Sequence, residues 1–301
     1  MRYVLKSTTF LAIVASWLWS TAFVGVKIGL AYHTPFQFAG IRFFISGLLL
    51  FIFFGNPRRF FKEALKSPGF LFLIALVQIF LQYALFYSGL NLVPSALASM
   101  IVGSSPLFIA VYVHFALHND RMTAGKLVSI LIGVVGIAII TLGRITVAFR
   151  GEYEWLGILL LFLNNLSSGY SNVLVQKRSQ GISPVVLSSA SLMIGGLLLF
   201  VVSLPLEGWN MGPFPMAYYL SLGWLSFLSA AAFSIWFALI KRPGVKISEL
   251  NVWKFLIPVS GAILSWLIMP DEYPDAYSIS GMVIIGCSLI ILNRFGRSGS
   301  R

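Results

Sequence analysis

The polar residues best placed to bind a solute lie in one stretch that is otherwise apolar. Residues 159–176 read LLLFLNNLSSGYSNVLVQ, and within them Asn164, Ser168 and Asn172 recur every four positions. In an α-helix this spacing puts the three side chains on one face, with Asn165 beside them. Such groups either hydrogen-bond to a neighbouring helix or face water in a cavity. A stripe of this length favours the second interpretation, a polar wall of a binding cavity.

A shorter polar pair occurs earlier in the chain. Gln78 and Gln82 are four residues apart, and Tyr83 follows the second of them. Side chains at this spacing share a helix face, so both amides point in one direction. Packing between helices and the lining of a cavity are both open for this pair.

Three basic residues lie inside apolar stretches, where a charge is costly. Placing Lys or Arg at the centre of a membrane helix costs about 2.5–3.5 kcal/mol, so such residues usually face a cavity or a partner. Lys27 and Arg42 lie toward the ends of their stretches, and their long side chains either reach the interface or point inward. Lys254 is four residues before Pro258 and is the strongest candidate to bind an anionic group. Glu249 is five residues before Lys254, a spacing that leaves an ion pair between the two open.

Four tryptophans lie near these polar candidates. Trp17, Trp19, Trp236 and Trp253 stand well inside their apolar stretches or beside a candidate polar residue. Their rings could form an aromatic wall suited to amphipathic or aromatic ligands. Contact with lipid is the alternative for each of them.

A break is predicted in the fourth apolar stretch. The sequence Gly103-Ser104-Ser105-Pro106 lies in the middle of twenty-one residues without a charge. Pro106 lacks a main-chain donor, and its ring disfavours a regular turn. A break at that depth persists only where protein or a water-filled cavity satisfies the freed carbonyls, so we expect this segment to face inward. A simple kink in a packed helix is the alternative. Pro258 occupies the matching place later in the chain, and both prolines are hinge candidates.

The sequence lacks the motifs of covalent chemistry. No phosphate-binding loop of the form GxxxxGK[ST] occurs. His114 and His118 have helical spacing but no third ligand nearby, which argues against a metal site. No nucleophile, acid–base pair or metal cluster stands at membrane depth. We therefore expect no catalytic residues, no metal and no other cofactor.

The composition places these candidates in a membrane. Of 301 residues, 58% are hydrophobic and 10% are charged, against about 25% charged residues in a soluble domain. The formal charge of +12 comes from short basic clusters between apolar runs. Such clusters are typical of membrane topology signals, so we expect no nucleic-acid partner. The single cysteine, Cys287, excludes an intrachain disulfide.

Ten apolar runs approach the length of a membrane-spanning helix. They fall at residues 8–29, 36–54, 69–90, 94–117, 124–143, 155–175, 184–205, 216–239, 247–268 and 277–293. Sixteen basic residues lie in one set of alternate loops and termini, and only two lie in the other set. These observations predict an all-α integral membrane protein with ten transmembrane helices and both termini in the cytoplasm.

The chain repeats itself. Residues 35–51 and 184–200 align without gaps at an offset of 149 residues and both end in Gly-Leu-Leu-Leu-Phe. Pro106 and Pro258 match at an offset of 152 residues. We predict a single membrane domain of two five-helix repeats, residues 1–150 and 151–301, with chance similarity of apolar helices as the alternative. Because five is odd, the second repeat enters the membrane from the opposite side, which makes the repeats inverted.

These features resemble the drug/metabolite transporter superfamily, specifically its EamA-type ten-helix transporters. The resemblance is carried by residues 19–24 (WSTAFV) with Lys27, Arg42, residues 89–99 (GLNLVPSALAS), Pro106, residues 123–126 (TAGK), Pro258 and residues 281–286. It covers nearly the whole chain. The resemblance implies export of small metabolites or amino-acid-like solutes across a cytoplasmic membrane, through a cavity between the two repeats.

Three functions remain open at this point. The first is a carrier that works by alternating access, with the two halves rocking around a site near the bilayer midplane. The second is a membrane-embedded enzyme acting on a lipid or an apolar metabolite, for which no catalytic constellation is found. The third is a receptor or assembly protein without transport. For the carrier, the expected partners are a small-molecule substrate and the lipid bilayer, and a homodimer is left open.

Overall fold

The chain folds as a bundle of helices. The computed structural model describes residues 7–116, 123–146, 152–179, 181–210 and 212–297, and no strand occurs among them. The helices of this part of the chain are α1 (Thr8–Leu30), α2 (Pro35–Phe54), α3 (Pro57–Ala64), α4 (Pro68–Leu92), α5 (Ser95–Ala116), α6 (Ala124–Thr146), α7 (Glu154–Arg178), α8 (Pro184–Glu207), α9 (Met216–Ile240), α10 (Ile247–Asn251), α11 (Leu256–Ile268) and α12 (Ala276–Arg297). A 3-10 segment, Val252–Phe255, joins α10 to α11. The predicted all-α class is confirmed.

Seven helices are long and apolar enough to cross a membrane by length and composition, namely α1, α2, α4, α5, α7, α8 and α9. Three further apolar stretches, Ala124–Ile140, Val252–Ile268 and Ala276–Ser288, are shorter. Each of these stretches lies where the sequence predicts a membrane helix. Large apolar side chains are exposed on the outside of the bundle, for example Phe115 at 83% and Leu267 at 77%. Such a surface is stable against lipid tails.

Prolines and a glycine set several helix ends. Pro35, Pro57, Pro68 and Pro184 occupy the first turn of α2, α3, α4 and α8. Their missing N–H costs nothing there, because no carbonyl within the helix would accept it. Gly55 ends α2 with a φ of 70°, a left-handed conformation that glycine adopts without a steric penalty.

Helix α3 is a difference from the sequence-based expectation, which placed a loop between the second and third apolar runs. Its Phe60 is buried, and the Phe60 ring meets the rings of Phe51 and Phe54 of α2 edge-on, at centroid distances of 4.9 and 5.9 Å. Arg58 and Lys62 stay exposed. One buried aromatic side chain thus holds an otherwise basic segment against the bundle.

Helices α2 and α8, which carry the sequence repeat, touch through glycines. A Cβ atom on Gly40 would stand 2.9 Å from the main-chain oxygen of Gly196 and 2.6 Å from the main-chain nitrogen of Phe200. Gly47 faces the main-chain oxygen of Ser189 in the same way, at 2.7 Å. At the 149-residue offset, Gly40 corresponds to Ser189 and Gly47 to Gly196. Exchanging the two helices in this alignment therefore converts one contact into the other.

The same reciprocity occurs between α6 and α12. The Ser129 hydroxyl donates to the main-chain oxygen of Ser288, and a Cβ atom on Gly136 would lie 2.9 Å from the main-chain oxygen of Gly281. At the 152-residue offset, Ser129 corresponds to Gly281 and Gly136 to Ser288. Helix pairings extend the pattern, since α1 packs on α9 and α11 while α7 packs on α4 and α5.

The two ends of the bundle differ in charge. The basic end gathers the start of α1, α3, the end of α7, the start of α8 and the end of α9, and it carries Lys62, Lys66, Lys177, Lys241 and Arg242. At this end the Arg242 guanidinium, just after α9, donates to the Thr8 hydroxyl at the start of α1 at 2.8 Å. The acidic end lies opposite and carries Glu154, Glu207 and Glu272.

Carboxylates cap the starts of the paired helices α2 and α8. At the acidic end, Glu207 accepts hydrogen bonds from the main-chain nitrogens of Phe36 and Gln37, at 2.8 and 3.0 Å. At the basic end, Glu63 accepts from the main-chain nitrogen of Ser183 at 3.1 Å. The first N–H groups of a helix have no partner within it, and its dipole favours negative charge there. Each acid thus stabilises a helix start that the membrane would otherwise leave unsatisfied.

Glu272 caps α5 in a similar way. Its side chain is more deeply buried than those of Glu63 and Glu207, at 7% exposure. Its carboxylate accepts from the main-chain nitrogens of Ser95 and Ala96 at 2.6 and 2.7 Å, and from the Ser95 hydroxyl at 2.8 Å. The Ser95 hydroxyl also lies 2.9 Å from that of Ser265 on α11. These contacts join α5 to α11 and to the α11–α12 turn at the acidic end.

We expect Gly40→Ala to destabilise the fold, because the new methyl group would collide with the backbone of α8. Overpacking of this kind costs about 1–3 kcal/mol, which thermal unfolding of the purified protein would register as a lower Tm. Gly69→Ala is the matched control, since no atom lies within 4 Å of a Cβ at that position. An unchanged Tm for Gly40→Ala would contradict the close packing of α2 and α8.

Replacing Glu272 by Gln should also lower the Tm, because an amide N–H₂ would replace an acceptor facing main-chain donors. A buried donor left without an acceptor costs about 1–3 kcal/mol. Glu152→Gln removes the same charge from an exposed position and should leave the Tm unchanged. Equal unfolding of both variants would show that the cap of α5 contributes nothing.

Candidate functional site

A cavity lies near the middle of the bundle, between α1, α2, α4, α5, α7, α9 and the segment that leads into α11. Eleven of the predicted cavity residues line it: Trp19, Gln78, Gln82, Tyr83, Ser105, Asn164, Asn165, Ser168, Asn172, Trp236 and Lys254. The structure thus brings the polar stripe of α7, the amides of α4 and the basic residue before α11 into one place.

Three residues of the same prediction lie elsewhere. Trp17 is 50% exposed on the outside of the bundle, and Trp253 packs against the hydrophobic core. The prediction that these two tryptophans line the cavity is wrong. Trp17 is two residues from Trp19 and Trp253 is one residue from Lys254, and side chains at these spacings point to different sides of a helix. Ser104 is fully buried but is not among the residues that line the cavity.

Arg42 lies in the cavity wall and not at the interface, so the interpretation that its side chain extends to the membrane surface is wrong. It is 1% exposed. Its Nη1 donates to the Tyr87 hydroxyl at 2.7 Å, and its Nη2 donates to the Ser229 hydroxyl at 2.9 Å. The guanidinium carbon also lies 4.4 Å from the centre of the Phe43 ring. Hydroxyls of α4 and α9 and an aromatic face stabilise the charge, and no carboxylate among the described side chains contacts it.

Lys254 presents its ammonium group to two indole rings. The Nζ atom is 4.7 Å from the centre of the Trp236 ring and 5.4 Å from that of Trp19. A cation over an aromatic face is stabilised by the ring quadrupole. The side chain is 6% exposed, and the described residues offer its ammonium no hydrogen bond or ion pair. The side chain of Glu249, the predicted partner of Lys254, lies outside the described residues.

Asn172 positions one of those rings. The Trp236 Nε1–H donates to the Asn172 Oδ1 at 2.9 Å, and the Asn172 amide nitrogen donates to the main-chain oxygen of Ser168 at 2.7 Å. Both polar ends of the amide are therefore used. The α7 stripe fixes the indole that faces Lys254.

The predicted break in α5 falls at Ser104, between helical segments Ser95–Gly103 and Ser105–Ala116. The Ile101 carbonyl accepts from the Asn165 side-chain amide at 2.7 Å and from the Ser104 hydroxyl at 2.6 Å. A Cβ atom on Gly103 would stand only 2.1 Å from the ring of Pro258. The break in α5 therefore packs directly against the proline of α11, and α7 supplies a donor that the irregular turn requires.

Part of α4 is a π-helix, which the sequence did not reveal. Residues Ala75–Leu81 adopt this wider turn, and π segments often occur at functional sites. The Ser167 hydroxyl of α7 donates to the main-chain oxygen of Val77 at 2.9 Å. The Asn164 amide, oriented by its hydrogen bonding, donates to the main-chain oxygen of Gln82 at 3.1 Å. Side chains of α7 thus bond to the backbones of both α4 and α5.

Several buried polar atoms around the cavity have no partner among the described residues. They comprise the Trp19 Nε1 and Arg42 Nε donors and the side-chain oxygens of Gln78 and Gln82. Buried polar groups are usually hydrogen-bonded, and exceptions are expected where a ligand binds. The lining contains two cations and, among the described side chains, no carboxylate. No group of three metal-ligating residues occurs in the described part either. The arrangement suits binding of a solute.

Three aromatic residues of the wall were missed by the sequence analysis. Phe23, Phe86 and Phe233 line the cavity. Each lies three or four residues from a predicted lining residue on the same helix: Phe23 from Trp19, Phe86 from Gln82 and Phe233 from Trp236. Helical spacing from the polar candidates would have found all three.

Lys27 lies in a second, open cleft at the acidic end, with about 760 Å³ of space. Its Nζ atom donates to the main-chain oxygen of Asn91 at 3.5 Å. Glu154 and Glu272 line the same cleft. Phe23 of the central cavity and Lys27 of the cleft are four residues apart, about 6 Å along α1. One helical turn therefore separates the two spaces.

Comparisons with known proteins agree with this architecture. The model of the EamA-like transporter family matches residues 6–142 and 155–294. A Bacillus subtilis (strain 168) protein named Uncharacterized transporter YvbV is 28% identical over 278 residues, covering 92% of this chain and 88% of that protein. A Chlamydia muridarum (strain MoPn / Nigg) protein named S-adenosylmethionine/S-adenosylhomocysteine transporter is 25% identical, covering 97% of this chain and 94% of that protein. One solved crystal structure superposes with a TM-score of 0.74 at 18% identity, over 97% of this chain and 99% of the other, which is a likeness of fold alone.

The family match spans nearly the whole chain in two segments. Seven helices have the length and apolar composition of membrane spans, and relatives similar over almost their full length are named transporters. The protein is a multi-pass membrane transporter, and the chain belongs to the EamA-like transporter family.

Proposed function

We propose that the protein is a carrier that exports small metabolites or amino-acid-like solutes by alternating access, and that the central cavity is its substrate site. One observation carries the proposal: polar and charged side chains from helices of both halves meet in a cavity with unused hydrogen-bonding atoms. Carriers of this kind bind their solute near the bilayer midplane, between repeats. Export, as opposed to uptake, is proposed from the family resemblance.

The proposed architecture is ten membrane helices in two inverted repeats, residues 1–150 and 151–301. The reciprocal contacts of α2 with α8 and of α6 with α12 support it. Helix bounds support it too. Helix α5 covers residues 95–116 and the run from α10 to α11 covers residues 247–268, so the second run begins and ends 152 residues after the first. Both runs are interrupted just before Pro106 and Pro258. The family model also matches twice, once in each half.

Alternating access needs a closure at each end of the cavity that can open while the other stays shut. At the acidic end, Ser95, Ser265 and Glu272 join α5 to α11. At the basic end, the Gln176 amide donates to the main-chain oxygen of Val245 at 3.3 Å, and the Lys241 ammonium donates to that of Ser179 at 2.6 Å. These contacts are few and polar, so exchanging them costs less than separating an apolar interface. Pro258 packs against Gly103, three residues before Pro106, and the two prolines are the proposed hinge.

The proposed orientation places the basic end in the cytoplasm. Lys and Arg are retained on the cytoplasmic side of a membrane during insertion, and the basic end carries most of them. The acidic end and its open cleft would then face outward. We propose the cytoplasmic membrane as the location.

Transport should depend on the α7 stripe. In proteoliposomes preloaded with unlabelled solute, we expect counterflow of at least one labelled solute from a set of amino acids, organic acids, S-adenosylmethionine and S-adenosylhomocysteine. The two sulfur compounds are included because of the named Chlamydia relative. Asn172→Leu should slow that flux by about tenfold or more, because Trp236 loses its hydrogen bond and the wall loses a polar group.

The matched control is Tyr170→Phe, two residues away on α7, whose side chain is 45% exposed on the outer surface. Its flux should stay within about twofold of the wild-type value. Folded protein without flux for any solute of the set would contradict the carrier proposal. Equal flux in Asn172→Leu and Tyr170→Phe would remove the central cavity as the substrate site.

The orientation is tested by alkaline phosphatase fusions in a bacterial host, since this enzyme is active only outside the cytoplasm. A fusion after Lys66, at the basic end, should be inactive. A fusion after Gly212, in the turn before α9 at the acidic end, should be active. The opposite result at both positions would reverse the proposed orientation.

A further inference from the structure

We propose that the transported solute is a small organic anion, and that the Lys254 ammonium binds its negative group while the aromatic wall receives its apolar part. This rests on the proposed function, because it takes the central cavity to be the substrate site. It narrows the solute from small metabolites in general to compounds with a net negative charge.

The charge balance of the cavity is the first argument. Arg42 and Lys254 are its two charged lining residues, and no carboxylate lines it among the described side chains. Three acids, Glu63, Glu207 and Glu272, instead cap helix starts at the ends of the bundle. Among the described side chains, these two positive charges have no negative counterpart in the cavity lining. An anion entering that space gains attraction that water would screen, whereas a cation is repelled.

The second argument is the free hydrogen-bonding capacity of Lys254. An ammonium group has three N–H donors and no acceptor. At Lys254 the described surroundings are the faces of Trp19 and Trp236, at 5.4 and 4.7 Å, and the group has no oxygen partner among the described residues. Aromatic faces stabilise the positive charge but leave the donors unused. A carboxylate or phosphate oxygen satisfies those donors with charge-assisted hydrogen bonds.

Arg42 has a different role from Lys254. Its guanidinium is anchored by the Tyr87 and Ser229 hydroxyls at 2.7 and 2.9 Å, so it is a fixed charge. Two of its five N–H donors are used in these bonds, and its Nε atom has no partner among the described residues. Arg42 therefore strengthens the positive potential of the cavity from a fixed position, while Lys254 is the cation that no hydrogen bond to a described residue anchors.

The third argument concerns the apolar part of the solute. Ring contacts run continuously from the Lys254 side to the Arg42 side: Trp19 meets Phe233 at 5.9 Å, and Phe233 meets Tyr83 at 6.1 Å. The Arg42 guanidinium carbon lies 5.8 Å from the Tyr83 ring. A flat or aromatic group fits against such a wall through edge and face contacts. The class is accordingly a carboxylate or a phosphate joined to a ring or a similar apolar group.

Four phenyl probes with one ring and different charges test this inference on the purified full-length protein in detergent. We expect 3-phenylpropionate, phenyl phosphate or both to raise the Tm in proportion to concentration, as ligands of a folded state do. The neutral 3-phenylpropionamide and the cationic 3-phenylpropylamine should leave it unchanged. Stabilisation by only one of the two anions would identify the negative group as carboxylate or phosphate.

The site is tested with variants of matched charge. Lys254→Gln should weaken the binding of the anionic probe by about tenfold or more, the effect of losing a charge-assisted hydrogen bond. Lys254→Arg keeps the charge and should retain binding within about tenfold, even where Lys254→Gln folds poorly. Lys62→Gln removes one positive charge from an exposed position and should bind as the wild type does.

The inference would be overturned if the amine raised the Tm or if neither anion raised it. It would also be overturned if Lys254→Gln and Lys62→Gln bound the anionic probe equally well. Because this experiment measures binding without a membrane, its result is independent of flux. Anion binding by Lys254 together with absent counterflow would contradict the carrier and leave the charge class standing. Counterflow of cationic solutes alone would support the carrier and contradict the inferred negative charge of the solute.

Discussion

Main-chain hydrogen bonding inside a membrane is the constraint on which the rest of this structure depends. Hydrocarbon offers no donor to a carbonyl, so every departure from regular helix must be satisfied from within the protein. The α5 break and the π segment of α4 are two such departures, and side chains of α7 bond to both through Asn165 and Ser167. This explains why α7 is the most polar of the long helices. The same polar face that holds irregular backbone in place also lines the cavity, so backbone support and cavity lining involve one helix face.

Charge is divided between the ends and the centre of the bundle by the same physics. Acidic side chains lie where helix starts present unpaired N–H groups, and there they are stabilised by several donors at once. Among the described side chains, no acid contacts the cations at the centre, and Arg42 and Lys254 are stabilised by hydroxyls and aromatic faces instead. The outcome, among the described side chains, is a cavity lined by two cations and no carboxylate, while Glu63, Glu207 and Glu272 are engaged at helix starts. That separation supports the proposed preference for anions.

Close backbone contact supplies the cohesion that apolar side chains cannot supply in lipid. Between membrane helices there is no hydrophobic gain from leaving water, so small residues that let backbones touch become the main source of packing. Gly40, Gly47, Gly136 and Gly281 serve this purpose. Their reciprocal arrangement also makes the two peripheral pairs, α2 with α8 and α6 with α12, resemble each other. The irregular segments lie instead in α4 and α5, and both bond to side chains of α7.

The sequence by itself determined the helical class, the position of the apolar helices, the charge difference between the ends and most of the cavity lining. These properties follow from local composition and from the 3.6-residue period, which places Asn164, Ser168 and Asn172 on one face regardless of what they meet. The tertiary structure decided what faces that stripe. Only packing could show that Arg42 is enclosed by Tyr87 and Ser229, or that Trp19 faces the cavity while Trp17 faces outward. The π turn of α4 likewise depends on donors from another helix. Contacts between residues far apart in the chain fix which of its two sides an amphipathic helix buries. A local sequence pattern does not contain those contacts.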